Sequence, residues 1–450
     1  MANVMGTQSG QAAEGALQKF LRATEIDTRM LGMVGALVLI WIGMDLFGVW
    51  KDVGFTLDPV TIYQNDTFLT ARNLWTLLVQ TTVIGVMATG MVMIIVMRNI
   101  DLSAGSMLSF VGVVSGYAQA NWLGPMLGAN HPMIWVIAVA IALVMGAALG
   151  ALNGFLVAYA GIPAFIVTLG GMLVYSGSAW WVIRGETVGL TDDRFAVIGG
   201  NPPESWLGAP ASWALGLIAC AAIIGGLFSN RGQRARFNFP QRPMWAEYFL
   251  GIVGCAVTIG TVLVVNAYAW PPKVAENYAT DHNIPIPPGG LGYVHGFAVP
   301  VLIALAVAVA MTFIATRTRF GRYVYAIGGN PEAAELAGVN TRKITMMMFS
   351  LMGVLTAIAA CIATSRLEAA TNSIGQFSEL YVIAAAVIGG TALAGGVGTI
   401  YGALLGALVL QSLQSGMTLL NIDSAVKDLV VGTVLVFAVW IDQTYRRRKA

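Results

Sequence analysis

The side chains that could contact a solute in this chain are mainly neutral, and they lie inside long apolar segments. They carry hydroxyl or amide groups, which offer hydrogen bonds rather than charge. The set is Gln80, Thr81, Thr82, Asn153, Thr168, Ser176, Thr364, Gln411, Ser412 and Gln414. Their chemistry suits a pathway for a neutral, hydroxylated or amide-bearing solute. The alternative is that each joins two helices by a hydrogen bond, worth only about 0.6 kcal/mol on average.

Charged side chains are scarce in the same segments. Asp45 is the clearest carboxylate well inside one, whereas Asp101, Glu368, Asp428 and Asp442 lie near segment ends. An ion-coupled pump usually keeps buried acidic or basic relays, because a charge in an apolar environment is costly and is retained for a purpose. The sequence therefore favours a pathway that is not driven by ions.

Catalytic and metal-binding patterns are missing from the sequence. It has no G-x-x-x-x-G-K-[ST] phosphate loop, no H-E-x-x-H pair and no Ser/His/Asp or Cys/His grouping. Its three cysteines lie in apolar segments without a close partner, and its three histidines lack ligand spacing. We therefore expect no catalysis, no metal site and no cofactor bound by this chain. If ATP drives the protein, another chain must bind it.

Two short stretches interrupt the apolar segments with almost no loop. The first break, 98–106, contains Asp101 and Ser103, either of which could cap the helix that follows. The second break, 389–398, is rich in glycine, which costs a helix about 1 kcal/mol per residue relative to Ala. Unwound backbone inside a membrane needs protein or a wet cavity around it. The alternative is close helix packing through small residues, which explains Gly146 and Gly150 well. The candidate pathway and gating residues are Gln80, Thr81, Asp101, Ser103, Asn153, Thr364, Gly390, Thr391, Gly395 and Gly396.

A polar island of small residues, 328–338, lies between two long apolar segments and has basic residues on both sides. Asn330 is a good N-cap, Pro331 suits the first helical position, Glu332 suits the positive end of a helix, and Gly338 can end it. Such a short helix is marginal alone in water. We expect it to dock onto something outside the bilayer, the alternative being an ordinary capped loop helix.

The composition identifies an integral membrane protein. Of 450 residues, 57% are hydrophobic and 10% are charged, whereas soluble domains carry about 25% charge. Most of the apolar segments approach the roughly 20 residues that cross a bilayer. They are 30–49, 74–97, 102–118, 133–159, 162–183, 213–228, 246–269, 295–316, 342–366, 380–395, 397–417 and 425–442. We predict an all-α polytopic membrane protein with about 10–12 transmembrane helices, in which 380–417 could instead be one span and a re-entrant piece.

Lysine and arginine are unevenly divided between the two sides of the predicted spans. With the N-terminus inside, 17 of the 24 lie in inner segments and 7 in outer loops. Positive side chains concentrate on the cytoplasmic side of membrane proteins. Both termini and the 328–338 island are therefore predicted to be cytoplasmic, and nothing points to nucleic acid. The first 29 residues are polar and precede a run long enough to span, which argues against a cleaved signal peptide.

The spans are predicted to form two halves, 74–183 and 342–442, that run in opposite directions, as in the inverted-topology repeats of transporters. Residues 200–294 are an insertion with two extra spans and an outer loop rich in proline and glycine. The sequence therefore predicts a cytoplasmic N-terminal segment 1–29, a transmembrane domain 30–442, a cytoplasmic helix 328–343 and a basic cytoplasmic tail 443–450.

Three stretches resemble a known family. Glu332, Ala333 and Ala334 followed by Gly338 resemble the cytoplasmic coupling motif of ABC importer permeases. The longer stretch 321–334 is similar to the monosaccharide branch of these permeases, the ribose, galactose and xylose group. Segments 99–106 and 389–399 resemble two other recurring stretches of that branch. The insertion at 200–294 makes the xylose-type permease the nearest resemblance.

This resemblance implies a subunit of a bacterial inner-membrane importer for a monosaccharide. Its partners would be a second permease copy, ATP-binding cassette subunits that use ATP and Mg²⁺, a periplasmic sugar-binding protein and membrane lipid. The residues implied to couple to the ATPase are Gly329, Asn330, Pro331, Glu332, Ala333, Ala334, Gly338 and Arg342. The rival hypotheses are an ion-coupled secondary transporter of a neutral solute and a membrane enzyme that acts on lipid-linked substrates.

Overall fold

The computed structural model describes residues 16–56, 58–287 and 291–447, and most of these are helical. The α-helices are α1 Ala16–Thr24, α2 Thr28–Val53, α3 Pro59–Gln64, α4 Ala71–Val96, α5 Ala104–Tyr117, α6 Gly124–Leu127, α7 Ile134–Ala158, α8 Ala164–Ile183, α9 Asp193–Ala196, α10 Gly208–Arg236, α11 Met244–Ala267, α12 Pro272–Asp281, α13 Val299–Arg317, α14 Arg319–Gly329, α15 Pro331–Leu336, α16 Thr341–Leu367, α17 Ser378–Ile388, α18 Ile400–Leu419 and α19 Ser424–Arg447. A π-helical turn covers Ala118–Leu123, and 3-10 turns cover Val197–Gly199 and Pro203–Ser205. One antiparallel pair of two-residue strands, β1 Val188–Gly189 and β2 Ala369–Ala370, is the sheet structure of these ranges.

The prediction of an all-α polytopic membrane protein is confirmed. Within the described ranges, nine helices are long and apolar enough to cross a bilayer: α2, α4, α7, α8, α10, α11, α13, α16 and α18. The predicted segment 380–395 is shorter in the structure, because α17 ends at Ile388 and Gly390 turns the chain at φ +87°. Eleven residues of helix extend only about 16 Å, so this result favours the alternative of one span and a shorter piece in this region.

The chain divides into two compact units. Among the described residues, those within Met33–Ser212 and Val264–Ala450 form the larger unit, and those within Met1–Gly32 and Trp213–Leu263 form the smaller one. Residues 1–15 of the predicted N-terminal segment and 448–450 of the predicted basic tail lie outside the described residues.

Helix α4 lies at the centre of the larger unit. In its most apolar stretch 83% of the residues are buried, against 28% in α7, α8 and α13. Helices α7 and α16 pack closely because glycines remove side chains from the contact: a Cβ on Gly146 would overlap the Gly353 carbonyl, and one on Gly150 would overlap the Phe349 carbonyl. The core of the larger unit therefore surrounds α4, next to the breaks 98–106 and 389–398.

The smaller unit is built around a helical hairpin. Most of α10 and α11 form this hairpin, and the short helix α1 packs beside it. The Phe20 ring of α1 lies 5.9 Å from the Trp245 ring and 5.2 Å from the Phe249 ring, measured between centroids. Aromatic contacts therefore attach α1 to α11.

Candidate functional site

The island predicted from sequence forms α15, and most of this helix is exposed. The Asn330 side chain accepts a hydrogen bond from the Ala333 N–H at 3.0 Å, and Pro331 occupies the first turn. Ala334 is buried, whereas Leu336 is 91% exposed. Gly338 has φ +83° and its N–H donates to the Glu335 carbonyl, which closes the helix. The exposed face of α15 is therefore a surface on which another molecule can dock.

The helix before it, α14, was not predicted. The predicted island began at Gly328, but Gly328 and Gly329 are the last residues of α14, and α15 ends at Leu336 rather than at Gly338. At the start of α14, the Thr318 side chain caps the helix by accepting a hydrogen bond from the Gly321 N–H at 3.1 Å. The buried positions Gly321, Val324, Ile327 and Gly328 recur at helical spacing. This pattern was the signal that could have revealed the helix.

Arg98 connects the first break to the end of α14. Its Nε donates to the Gly328 carbonyl at 2.9 Å, and its Nη2 donates to the Gly329 carbonyl at 2.7 Å. The last carbonyls of a helix lack partners within the helix and carry a partial negative charge, so a guanidinium stabilises them. Gly328 itself lies directly against the Val96 carbonyl, the last residue of α4. A Cβ has no room there.

The second break also contacts the end of α4 and helix α14. The Gly396 N–H donates to the Val96 carbonyl at 2.9 Å, and the Tyr325 hydroxyl of α14 donates to the Gly398 carbonyl at 2.7 Å. Burial raises the pKa of Tyr325, so this hydroxyl keeps the proton that it donates. The end of α14 therefore contacts both breaks of the membrane domain at once.

Three predicted residues meet in a buried hydrogen-bonded chain at the first break. The Ser103 hydroxyl donates to Asp101 Oδ1 at 2.6 Å, and Asn153 Nδ2 of α7 donates to Ser103 Oγ at 2.9 Å. Tyr175 of α8, which sequence reasoning missed, donates to Asn153 Oδ1 at 2.8 Å. All four side chains are buried. This chain fixes the first break against α7 and α8.

Backbone conformation, rather than side chains, forms the second break. Gly390, Gly395 and Gly396 have φ +87°, +88° and +75°, a region that favours glycine. The Ala392 N–H donates to the Val397 carbonyl at 2.8 Å, which closes a tight loop. Thr391 is fully buried within this loop. The four predicted residues of this break thus lie together.

Part of the predicted pathway set lines an open cavity of about 520 Å³. Gln411 Nε2 donates to Gln80 Oε1 across it at 2.9 Å, and Lys427 Nζ donates to Thr418 Oγ1 at 3.0 Å. The lining consists of Gln80, Val83, Ala363, Arg366, Leu367, Ile374, Gln411, Gln414, Ser415, Thr418 and Lys427. Amide and hydroxyl groups with two cations and no carboxylate suit a solute that is rich in hydroxyl groups.

Two predicted pathway residues lie elsewhere. The Thr81 hydroxyl donates to the Leu77 carbonyl of its own helix at 2.7 Å, and Thr364 packs against Gly112. The prediction that carboxylates are almost absent from the interior missed Glu379 of α17, which is 6% exposed and lies against Gly105. Asp101 lies near a segment end as predicted, between α4 and α5, and is 1% exposed. Both carboxylates lie next to a break, where local sequence does not reveal burial.

Comparison with known proteins identifies the family. Residues 73–439 match the family model described as "Branched-chain amino acid transport system / permease component". The chain belongs to this permease family. The matched region contains both breaks, α14, α15 and the cavity.

Individual proteins that are similar to this chain are also permeases. The xylose transport system permease protein XylH of Escherichia coli is 35% identical over 381 residues, 85% of this chain and 87% of that protein. XylH of Haemophilus influenzae is 33% identical over 390 residues, 86% of this chain and 93% of that protein. The ribose import permease protein RbsC of Escherichia coli is 32% identical over 375 residues, 83% of this chain and 87% of that protein. No solved structure matches the chain.

These relatives confirm the family resemblance drawn from the three short stretches. The permease is a multi-pass membrane protein and a transport subunit rather than an enzyme. The assignment of single residues to coupling, gating or the pathway stays a prediction.

Proposed function

We propose that this permease is the membrane subunit of an ABC importer that moves a monosaccharide, xylose or a related pentose or hexose, into the cytoplasm of a bacterium. The named relatives carry xylose and ribose, which supports a sugar rather than the amino acid of the family's description. ATP and Mg²⁺ are used by a separate ATP-binding subunit. A periplasmic sugar-binding protein delivers the solute, and a second copy of the permease completes the inner-membrane pathway.

One observation carries the coupling part of this proposal: the exposed helix α15 continues into α14, whose end contacts both breaks. Movement of an ATPase dimer against Glu332 and Ala333 of α15 is transmitted through α14. Because α14 holds the Val96 region and the 396–398 backbone together, displacing it moves both breaks at once.

Orientation follows from the distribution of positive charge. We place both termini and α15 in the cytoplasm, because 17 of the 24 lysines and arginines then lie inside. Arg366 and Lys427, which line the cavity, belong to the outer set. The cavity therefore opens toward the periplasm, where a binding protein releases its sugar, and Gln80, Gln411 and Gln414 provide hydrogen bonds to sugar hydroxyls.

Coupling is tested by uptake in proteoliposomes that contain the permease, its co-purified ATP-binding subunit and a sugar-binding protein. We expect uptake of labelled xylose that requires internal ATP, and we expect Glu332→Lys to abolish it. Glu276→Lys, on the exposed surface of α12, is the matched control and should leave uptake unchanged. If no ATP-binding subunit co-purifies, or if Glu332→Lys transports normally, the coupling assignment is wrong.

The cavity is tested separately by the concentration dependence of uptake. We expect Gln80→Leu to raise KM for the sugar about fivefold, since a hydrogen bond is worth about 1 kcal/mol. Thr81→Val is the control at the next position, because that hydroxyl bonds to its own backbone. Equal KM values for the two variants would remove Gln80 from the pathway.

Ion-coupled secondary transport is the alternative, and the buried carboxylates Asp101 and Glu379 are the observation that favours it. A protonophore distinguishes the two mechanisms when ATP is held constant. We expect uptake to persist. Collapse of uptake under these conditions would favour ion coupling and identify the two carboxylates as its first candidates.

A further inference from the structure

The helical hairpin of the smaller unit contains a site that the transport proposal does not use. Its two helices, α10 and α11, are joined by residues 237–243, and α1 lies beside this loop end. Segments 16–32 and 213–263 contain seven basic and three acidic side chains. A basic excess at the loop end of a membrane hairpin attracts anions.

An apolar groove of about 370 Å³ runs between the two helices. Its side chains include Phe228, Tyr248 and Ile252, which are 70%, 67% and 68% exposed, so the groove is open along its length. Leu227, Arg231, Glu247 and Gly251 also line it. An open apolar groove on a membrane helix pair fits a hydrocarbon chain better than a compact polar solute.

A polar cavity of about 290 Å³ continues the groove toward the loop. Leu227, Arg231 and Glu247 line both spaces. The remaining lining of the polar part is Asn230, Gln233, Arg234, Phe237, Phe239 and Arg242. The combined space is therefore apolar at one end and rich in N–H donors at the other.

Ion pairs hold the arginines of this cavity in place. Glu25 accepts from Arg234 and Arg242, each at 2.7 Å, and the two guanidinium groups lower its pKa to about 2. Arg231 pairs with Glu247 at 2.7 Å. Three guanidinium groups thus face two carboxylates, which leaves one positive charge. Among the described residues, the hydrogen bonds of Arg231 use only Nη1, and those of Arg242 use Nε and Nη2. Arg231 Nε and Nη2 and Arg242 Nη1 therefore remain as donors for a ligand.

We propose that this groove and cavity bind one anionic phospholipid, with an acyl chain in the groove and the phosphodiester beside Arg231 and Arg242. The single excess positive charge complements the single negative charge of a phosphodiester, and a guanidinium fork matches two phosphate oxygens. The apolar groove excludes a free phosphate as the preferred occupant, because such an ion gains nothing from it. In the proposed orientation the lipid belongs to the cytoplasmic leaflet, where the loop 237–243 lies.

Lipid retention by the full-length permease tests this site. The protein is purified in mild detergent, stripped of lipid and incubated with phosphatidylglycerol or with phosphatidylethanolamine of identical acyl chains, and bound lipid is measured by native mass spectrometry. We expect one tightly held phosphatidylglycerol, retained about fivefold better than phosphatidylethanolamine, since a basic side chain near an anionic headgroup contributes about that factor. Equal retention of the two lipids overturns the proposal.

Variants separate the two ends of the site. Arg231→Gln and Arg242→Gln each remove the excess charge, and Arg242→Gln leaves Glu25 paired with Arg234. We expect each to abolish the preference for phosphatidylglycerol, whereas Arg236→Gln, exposed on the same helix, keeps it. Gly251→Leu fills the groove near Leu227, whose side chain a Cβ would approach to 3.3 Å, and should reduce retention of both lipids.

Three further results would overturn the site. One is an equal effect of Arg231→Gln, Arg242→Gln and Arg236→Gln. Another is undiminished lipid retention in Gly251→Leu. The third is competition by inorganic phosphate at the concentration of the lipid, which would identify a free-anion cavity. Monodisperse elution and unchanged thermal unfolding of Arg242→Gln show that the comparison is made on folded protein.

Discussion

The two helix breaks of this permease are held in different ways. Side chains hold the first: Asp101, Ser103, Asn153 and Tyr175 form one buried hydrogen-bonded chain. Backbone holds the second, where glycines at positive φ let the chain turn between α17 and α18. A hydrogen-bonded side chain can be replaced by another of similar size, whereas a backbone contact leaves no room for one added carbon.

This difference predicts unequal tolerance to small changes. Protein interiors are packed as densely as organic crystals, so an extra methyl group at a backbone contact must displace the neighbouring helix. Loss of one side-chain hydrogen bond costs about 1 kcal/mol and leaves the helices in place. We therefore expect one glycine substitution in the second break to lower the free energy of unfolding more than the loss of one side-chain hydrogen bond in the first break.

The largest effect is expected for Gly389→Ala in the second break. A Cβ there would overlap the Gly402 carbonyl of α18, which belongs to rigid backbone. We expect the free energy of unfolding to fall by about 3 kcal/mol, measured as thermal unfolding in detergent.

Gly329→Ala is the control for this prediction, because no atom lies within 4 Å of the added carbon. Its unfolding temperature should stay close to that of the parent protein. A similar loss in the two variants would mean that α17 and α18 are not packed through backbone.

A smaller effect is expected for Arg98→Lys at the point where the breaks meet. Lysine keeps the charge but loses the planar fork that reaches the Gly328 and Gly329 carbonyls at 2.9 and 2.7 Å. We expect a loss of about 2 kcal/mol in stability, since hydrogen bonds to charged groups are worth about 1.5–3 kcal/mol each. Sugar uptake per ATP hydrolysed should fall as well.

Arg322→Lys is the matched control, since Arg322 is exposed on α14. If both variants keep the uptake-to-hydrolysis ratio of the parent, Arg98 does not transmit movement from α14 to the first break.

The contact between Asp101 and Ser103 in the first break can be measured by a double-mutant cycle. Ser103 donates both its N–H and its hydroxyl to Asp101 Oδ1, at 2.9 and 2.6 Å. We expect Asp101→Asn and Ser103→Ala each to cost about 1.5 kcal/mol, with a coupling energy above about 0.5 kcal/mol because the residues share one network. Additive losses in urea unfolding would mean that side chains do not hold this break as a unit.

Local features of both regions could be predicted from sequence because they depend on neighbours. The Asn330 cap reaches three residues along the chain, and the Gly-rich composition of 389–398 indicates unwound backbone by itself. The spans follow from length and hydropathy, and α17, which is cut short by Gly390, fits the alternative of one span and a shorter piece in 380–417.

Contacts between distant segments could not be predicted. Arg98 and Gly328 are 230 residues apart, and Gln80 and Gln411 are 331 apart. No local pattern reports such pairs. For the same reason the sequence did not reveal that Gln80 lines the cavity whereas its neighbour Thr81 does not. Nor did it reveal that Glu379 is buried. Helix α14 itself could have been predicted, because the positions that are buried in it recur at helical spacing in the sequence.

The smallest effect is expected for Tyr325→Phe, which tests whether α14 holds the second break by side chain as well as by backbone. The change removes the 2.7 Å bond from the hydroxyl to the Gly398 carbonyl and keeps the ring. We expect a loss of about 1 kcal/mol in unfolding free energy, with Tyr323→Phe, exposed on the same helix, as the control. Because this bond belongs to the second break alone, Tyr325→Phe should add to Asp101→Asn without coupling. A coupling energy as large as that between Asp101 and Ser103 would show that the two breaks respond as one element.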